Sequence, residues 1–314
     1  MRVLFIFLDG IGLGENDPEV NPFARAQMPN LNALLDGRLL LKDSAPFIGE
    51  HATLLAIDPN VGVDGLPQSA TGQAMLVTGK NISAELGYHY GPKPNPAVAA
   101  YLKDDTLFAR FTKAGKKAAL LNAYPPRYFD GIDSGKRLYS SIPLAGTNAG
   151  LSLFTHDDLF AGRALSADFT GEGWRTMLGF PDSPVMNAHD AGRKLAALAN
   201  EYDFALFEYW ASDYAGHKQQ METAVGLMEI FDGVLGGVTE RMKDEGGTLR
   251  VKDELLVVVT SDHGNMEDLS TRKHTSANVP ALVIGEKLAR DEFTRAMTNL
   301  THIAPAIWRA VMGV

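Results

Sequence analysis

Residues 3–8 form an unbroken apolar run rich in β-branched and aromatic side chains. Such a run, without polar alternation, fits a strand buried on both faces of a parallel sheet. Residues 255–260 are a second hydrophobic strand, and 117–121, 204–209 and 281–284 read as further ones. Ala224, Leu227, Met228, Phe231, Leu235 and Val238 recur at helical spacing and predict a long amphipathic helix. Shorter helices are predicted from Met28 with Gly37 as the stop, from Thr106 to Ala114 with Gly115 at the end, from a cap at Asp190 to Asn200, and over 302–311. Strands alternating with helices predict an α/β sandwich with a parallel-dominated sheet and right-handed crossovers.

Two stretches interrupt the alternation. Segments 81–105 and 124–187 carry many Gly and Pro residues, with Ser and Asp added in the second. They are expected to be cap or rim elements over a core made of 1–80 and 188–314, to which 106–123 also belongs.

The balance of side chains narrows the function. At 314 residues with 45% hydrophobic and 21% charged content, the chain is expected to be one large α/β domain or a core with an inserted piece. A formal charge of −9 argues against nucleic acid or an anionic membrane as partner. It leaves an anionic small substrate open, because bound divalent cations reverse the local field. The chain has no cysteine, which excludes disulfides, thiolate catalysis and Cys-based zinc sites. The apolar run 3–8 is too short for a signal sequence and leads straight into Asp9 and Gly10. A cytoplasmic location is the expectation.

The second hydrophobic strand runs into Asp262 and His263. A carboxylate beside an imidazole at a buried strand's C-terminal end is a good metal-ligand pair, placed where open α/β sheets bind their ligands. Asp213 and His217, four apart, share one face if that segment is helical. Asp9 ends the first strand, and His274 lies in a loop before residues 281–284. Ser69 opens an apolar helical segment, where free N–H groups and the helix dipole favour an anion. A cation beside it makes an alkoxide accessible from its hydroxyl. Taken singly, each residue has a plainer reading: Ser69 or Thr71 as a helix cap, Asp213 and His217 as a surface hydrogen bond, His274 as solvated, Asp9 as a turn residue. Together they all fall at strand ends or the loops just after them, which converge on one edge of a parallel sheet.

These motifs occur in a telling order: Asp9-Gly10, Gln68-Ser69-Ala70-Thr71-Gly72-Gln73, Ser212-Asp213-Tyr214-Ala215-Gly216-His217, Asp262-His263-Gly264-Asn265, and His274 followed by Asn278-Val279-Pro280. In that order they resemble the alkaline phosphatase superfamily, most closely its cofactor-independent phosphoglycerate mutase and phosphopentomutase branch. Thr301-His302-Ile303-Ala304-Pro305 also looks like that branch's last helix. The likeness covers roughly 1–80 and 188–314. It implies an alkaline-phosphatase-like three-layer sandwich with a mostly parallel sheet and a short cap. It also implies two divalent metal ions, Mn or Zn, one held by Asp9, Ser69, Asp262 and His263 and the other by Asp213, His217 and His274. Ser69 is then the nucleophile, transiently phosphorylated, and the partner is a small phosphorylated substrate.

Two departures bear on the reaction. The mutases carry His where this chain has Gln73, and their large substrate-gripping insertion has no room here. A mutase must retain its dephosphorylated intermediate, so a short cap tilts the expectation toward a phosphohydrolase acting on a small phosphate monoester. A phosphoglycerate or sugar-phosphate mutase, and an inactive metal-binding protein of the same fold, stay open. Arg127, Lys136, Arg137, Arg163 and Arg175, in the expected cap, are candidate phosphate contacts because guanidinium forks match phosphate oxygens.

Overall fold

The computed structural model describes residues 1–242 and 255–314. Its strands are β1 (Arg2–Leu8), β2 (Phe47–Ile48), β3 (Ala52–Ile57), β4 (Ala118–Leu120), β5 (Ala123–Tyr124), β6 (Phe154–Thr155), β7 (Phe204–Tyr209), β8 (Leu255–Thr260) and β9 (Val279–Ile284). Seven of them make one sheet in the order β2-β3-β9-β8-β1-β7-β4, and β5 and β6 form a separate parallel pair. β1 lies inside the sheet beside the central β8, parallel to both β7 and β8, and β4 is parallel to β7.

The alternation of side chains across each strand divides the core into two apolar layers. Leu4, Ile6 and Leu8 of β1 join Leu255, Val257 and Val259 of β8 on one face. Val3, Phe5 and Phe7 join Leu256 and Val258 on the other. Helices Ala188–Ala199 and Met221–Glu240 cover the first face through residues such as Leu195, Phe231 and Leu235. Helices Ser69–Thr78, Leu107–Lys113 and Ile303–Met312 cover the second through Met75, Phe111 and Ile307. This is the expected three-layer sandwich. Among the described residues no helix is long and apolar enough to cross a membrane.

The sheet is less uniform than expected. β9 runs antiparallel to β8, β3 antiparallel to β9, and β2 antiparallel to β3. A parallel connection needs a crossover over one face of the sheet. The segment 261–278 contains no helix and turns back at the strand ends, bridged to itself where Gly264 meets Thr275. The chain therefore re-enters the sheet in the opposite direction. A second difference concerns helix Ala188–Ala199: its cap is Asn187, whose side chain accepts from Asp190 N–H, so Asp190 sits inside the first turn. Segment 124–187 also reaches into the body of the protein, with Tyr128, Ile142, Ala145 and Leu153 in one apolar layer and Leu165 and Phe169 in the other.

Candidate metal centre

The strand directions bring the chemistry to one edge. Asp9 follows β1, helix Ala211–Lys218 with Asp213 and His217 follows β7, and Asp262 and His263 follow β8. β3 points the same way as β8, and the chain beyond it leads to Ser69 at the start of helix Ser69–Thr78. His274 arrives from the other direction: because β9 is antiparallel, its N-terminal end lies on this same edge. All seven residues singled out in the sequence meet here.

Ser69, Asp9, Asp262 and His263 make one half of the cluster. Ser69 Oγ lies 3.0 Å from His263 Nε2. That same nitrogen is 3.4 Å from Asp9 Oδ1 and 3.6 Å from Asp262 Oδ2. Gln73 Nε2 donates to Asp9 Oδ2 at 3.3 Å, and Gly10 N–H reaches Asp262 Oδ1 at 3.5 Å. Close approach fixes two glycines. Gly10 has φ +70° and a Cβ there would lie 2.6 Å from Asp213 Oδ1; a Cβ on Gly72 would lie 2.7 Å from Asp262 Cβ.

Asp213, His217 and His274 make the other half. His217 Nε2 is 3.3 Å from Asp213 Oδ2, His274 Nε2 is 3.7 Å from Asp213 Oδ1, and the two Nε2 atoms are 3.3 Å apart. Asn265 Nδ2 donates to Asp213 Oδ1 at 2.6 Å. His217 Nδ1 faces the Arg272 carbonyl at 2.7 Å, and His274 Nδ1 faces the Pro67 carbonyl at 2.8 Å. A carbonyl only accepts, so each Nδ1 carries the proton and each Nε2 presents a lone pair. His263 and His274 stack with ring centroids 3.7 Å apart, joining the halves.

Four observations fit divalent cations at this place. Asp9 Oδ1 and Asp262 Oδ2 are buried without a hydrogen-bond partner. Burial, then the mutual repulsion of Asp9, Asp262 and Asp213, holds the Asp9 carboxyl well above the ordinary carboxylate range, and burial followed by Asp213 does the same to Asp262. Burial lowers His263 and His274 below the usual imidazole value, keeping them neutral as metal ligands must be. Two sets of donor atoms, Asp213 with His217 and His274, and Asp9 with Asp213 and His263, each gather within 4.8 Å and could hold an ion. Asp213 stands between them, where the family likeness puts it in one set only. The donors are nitrogen and oxygen without sulfur, a set that suits divalent cations that accept both imidazole and carboxylate.

The start of helix Ser69–Thr78 adds an anion site. Thr71 N–H donates to the Tyr90 carbonyl at 3.0 Å, while among the described residues no acceptor faces the N–H of Ser69 or Ala70. Those two donors and the helix dipole favour negative charge beside Ser69 Oγ.

The candidate phosphate contacts are dispersed. Arg163 pairs with Asp158 at 2.7 Å, and Arg175 Nε donates to the Ser183 carbonyl at 2.7 Å, both within the 154–183 lobe. Arg127, on helix Pro126–Asp133, and Lys136 after it are exposed. Arg137 lies over the Tyr128 ring at 5.0 Å, and its charge is felt at Lys93. Three further residues, unmarked in the sequence, adjoin the cluster: Lys93, Tyr124 and Glu208. A lone acid in the otherwise apolar strand 204–209 was the signal available for Glu208, since acids are rarely buried without purpose.

Sheet and cluster together define an alkaline-phosphatase-like α/β sandwich with a polar centre at the strand ends. Residues 176–312 match the Metalloenzyme superfamily. The chain is 27% identical over 227 residues to the 2,3-bisphosphoglycerate-independent phosphoglycerate mutase of Legionella pneumophila (strain Philadelphia 1), a match covering 67% of this chain and 41% of that protein. The chain thus spans about two fifths of the length of the first curated relatives it matches. In structure it is similar to the PH0037 protein from Pyrococcus horikoshii, with TM-score 0.58 and 13% identity over 100% of this chain and 97% of that one. It is also similar to the alkaline phosphatase of the Antarctic bacterium TAB5, with TM-score 0.53 and 12% identity over 99% and 98% of the two chains. The structural likenesses show the fold, and the superfamily resemblance read from the motifs is borne out.

Proposed function

We propose that the protein is a metal-dependent phosphohydrolase acting on a small phosphate monoester, with Ser69 as nucleophile. The observation that carries this reading is the juxtaposition of Ser69 Oγ, 3.0 Å from His263 Nε2, with two orphaned carboxylate oxygens and two free helix N–H groups. Asp9, Ser69, Asp262 and His263 would hold one divalent cation, and Asp213, His217 and His274 the other. Bound there, the cations would lower the pKa of the serine hydroxyl and neutralise phosphoryl charge.

The chain's own residues do the rest. The N–H groups of Ser69 and Ala70 orient the phosphoryl oxygens. Ser69 Oγ, having given up its proton to solvent, bonds to phosphorus as the ester's P–O bond breaks and the alkoxide leaves, taking a proton to become the alcohol. Water then cleaves the Ser69–phosphorus ester, restoring the serine hydroxyl and releasing phosphate. Gln73 and Asn265 hold Asp9 and Asp213 by amide hydrogen bonds of 3.3 and 2.6 Å. Pro67 and Arg272 carbonyls fix the tautomers of His274 and His217.

A second reading, phosphoglycerate mutase, is favoured by the names of the sequence relatives. Incubation of Mn²⁺- or Zn²⁺-loaded protein with 3-phosphoglycerate and with an aryl phosphate separates the two. Hydrolysis releases free phosphate from the aryl ester; 2-phosphoglycerate accumulating without free phosphate overturns the hydrolase in favour of the mutase. Ser69→Ala is expected to keep most of its metal and to lose about a thousandfold or more in rate. Equal activity in variant and parent refutes the nucleophile.

A further inference from the structure

Glu208, Tyr124 and Lys93 are polar groups near the centre that belong to neither half of it. Glu208, near the end of β7, is buried, and its only described side-chain partner is the Tyr124 hydroxyl, which donates to Oε2 at 3.0 Å. Its backbone is clamped by Asn122, whose amide donates to the Glu208 carbonyl at 2.9 Å and accepts from its N–H at 2.8 Å. Among the described residues no cationic nitrogen stands within 4.0 Å of it. A buried carboxyl held by one neutral hydroxyl is costly for folding, and a rigidly clamped one is more costly still to leave without purpose.

Its position relates it to the reacting centre. The charge of Glu208 adds to the repulsion that raises Asp9. Lys93, exposed on the loop after Tyr90, feels the attracting charges of Glu208 and Asp9. The loop carrying Lys93 is fastened to the nucleophile's helix. Tyr90 accepts from Thr71 N–H and donates its own N–H to Thr71 Oγ1 at 3.1 Å, while Gly91 packs so closely that a Cβ there would lie 3.2 Å from Ser69 N. Glu208 pairs with Phe7 across β7 and β1, two residues before Asp9, and by alternation with Phe207 and Tyr209 its side chain lies on the face that helix Ser69–Thr78 covers.

We propose that Glu208, supported by Tyr124 and flanked by Lys93, is a specificity-determining residue that hydrogen-bonds a hydroxyl on the alcohol part of the phosphate monoester. This rests on the phosphoryl-transfer reading and deepens it. A hydroxyl both donates and accepts, so it suits this carboxyl in either protonation state, which matters because burial pushes Glu208 up to about 7. A carboxylate or second phosphate on the substrate would instead meet the repulsion of Glu208 and Asp9 together. Lys93 is assigned the complementary part, drawing the phosphate dianion to this side of Ser69.

The test is binding without turnover. Mn²⁺-loaded Ser69→Ala protein is titrated calorimetrically with inorganic phosphate, propyl phosphate and glycerol 1-phosphate. The last two share a chain length and differ in hydroxyls. Glycerol 1-phosphate is expected to bind at least about tenfold tighter than propyl phosphate, as a hydrogen bond to a charged group implies. Adding Glu208→Leu, which removes both oxygens at similar volume, should remove most of that preference while leaving propyl phosphate affinity within about threefold and the bound Mn²⁺ unchanged. No preference in the Ser69→Ala protein overturns the inference without needing the second variant to fold. Equal weakening of both esters, or loss of metal from Glu208→Leu, also overturns it, because the carboxyl then acts through the fold or the cations. Failure of inorganic phosphate itself to bind points instead to failure of the phosphoryl-transfer reading, and the inference falls with it.

Discussion

His217 and His274 present their Nε2 atoms to each other at 3.3 Å, while each Nδ1 faces a main-chain carbonyl. Two lone pairs directed at one point repel in the absence of a cation and bind one strongly when it is present. The neighbouring Asp213 carboxylate supplies the charge to hold it.

Removing metal should therefore destabilise the protein beyond any effect on activity. Ligand binding at about a thousand times Kd contributes roughly 4 kcal/mol. Chelation of the loaded protein is expected to lower Tm by at least about 5 °C. His274→Ala should show a smaller metal-dependent rise in Tm than the parent. Scanning calorimetry with and without chelator checks this, and an identical rise in both proteins removes His274 from the site.

Gly72 offers a steric test at the opposite half. A Cβ added there meets the Asp262 side chain and backbone at 2.7 and 3.0 Å. Gly72→Ala should cost about 1–3 kcal/mol by overpacking, despite alanine's better helix propensity. Because the displaced residue is Asp262, the variant should also take up less metal. Urea unfolding with metal analysis measures both; a stabilised variant with full metal content contradicts the packing shown here.

Glu208 gives a pH dependence with a definite sign. Its carboxyl rises from 4.5 in the unfolded chain to about 7 when folded. Over that interval the native state holds a proton the unfolded chain has released, so this group's contribution is full below pH 4.5 and falls as pH rises to about 7. The loss amounts to roughly 3 kcal/mol at most. Glu208→Gln should flatten the slope of unfolding free energy between pH 5 and about 7, measured by urea titration of chelated protein. An unchanged slope means that the carboxyl is ionised throughout.

How far the chain's own pattern foretold this arrangement depends on the element. The run 255–260 became β8 without a shift in bounds, because a strand buried on both faces must be apolar throughout. The 224–238 repeat became helix Met221–Glu240, since its spacing of 3–4 residues is set by helical geometry. The direction of β9 was hidden: orientation depends on whether the preceding loop crosses a face, and nothing in residues 261–278 announces that. β2 was not legible because it is two residues long at the sheet's edge, and β3 because it carries two alanines, weak strand formers, and starts directly after Gly49, Glu50 and His51. The cluster was legible because each residue lies just past a strand, on the short segment or helix that follows one, or in a loop leading into one, positions that topology gathers at one edge. Glu208 and Tyr124 were not, because their partnership joins residues 84 apart in the chain and depends on how β5 sits beside β7.

The most direct measurement is anomalous X-ray diffraction from crystals of the protein grown or soaked with Mn²⁺. Two strong peaks are predicted, one bordered by Asp9, Ser69, Asp262 and His263, the other by Asp213, His217 and His274. No peak among these side chains, or peaks only at surface carboxylates, would contradict the assignment of this edge as a two-cation centre.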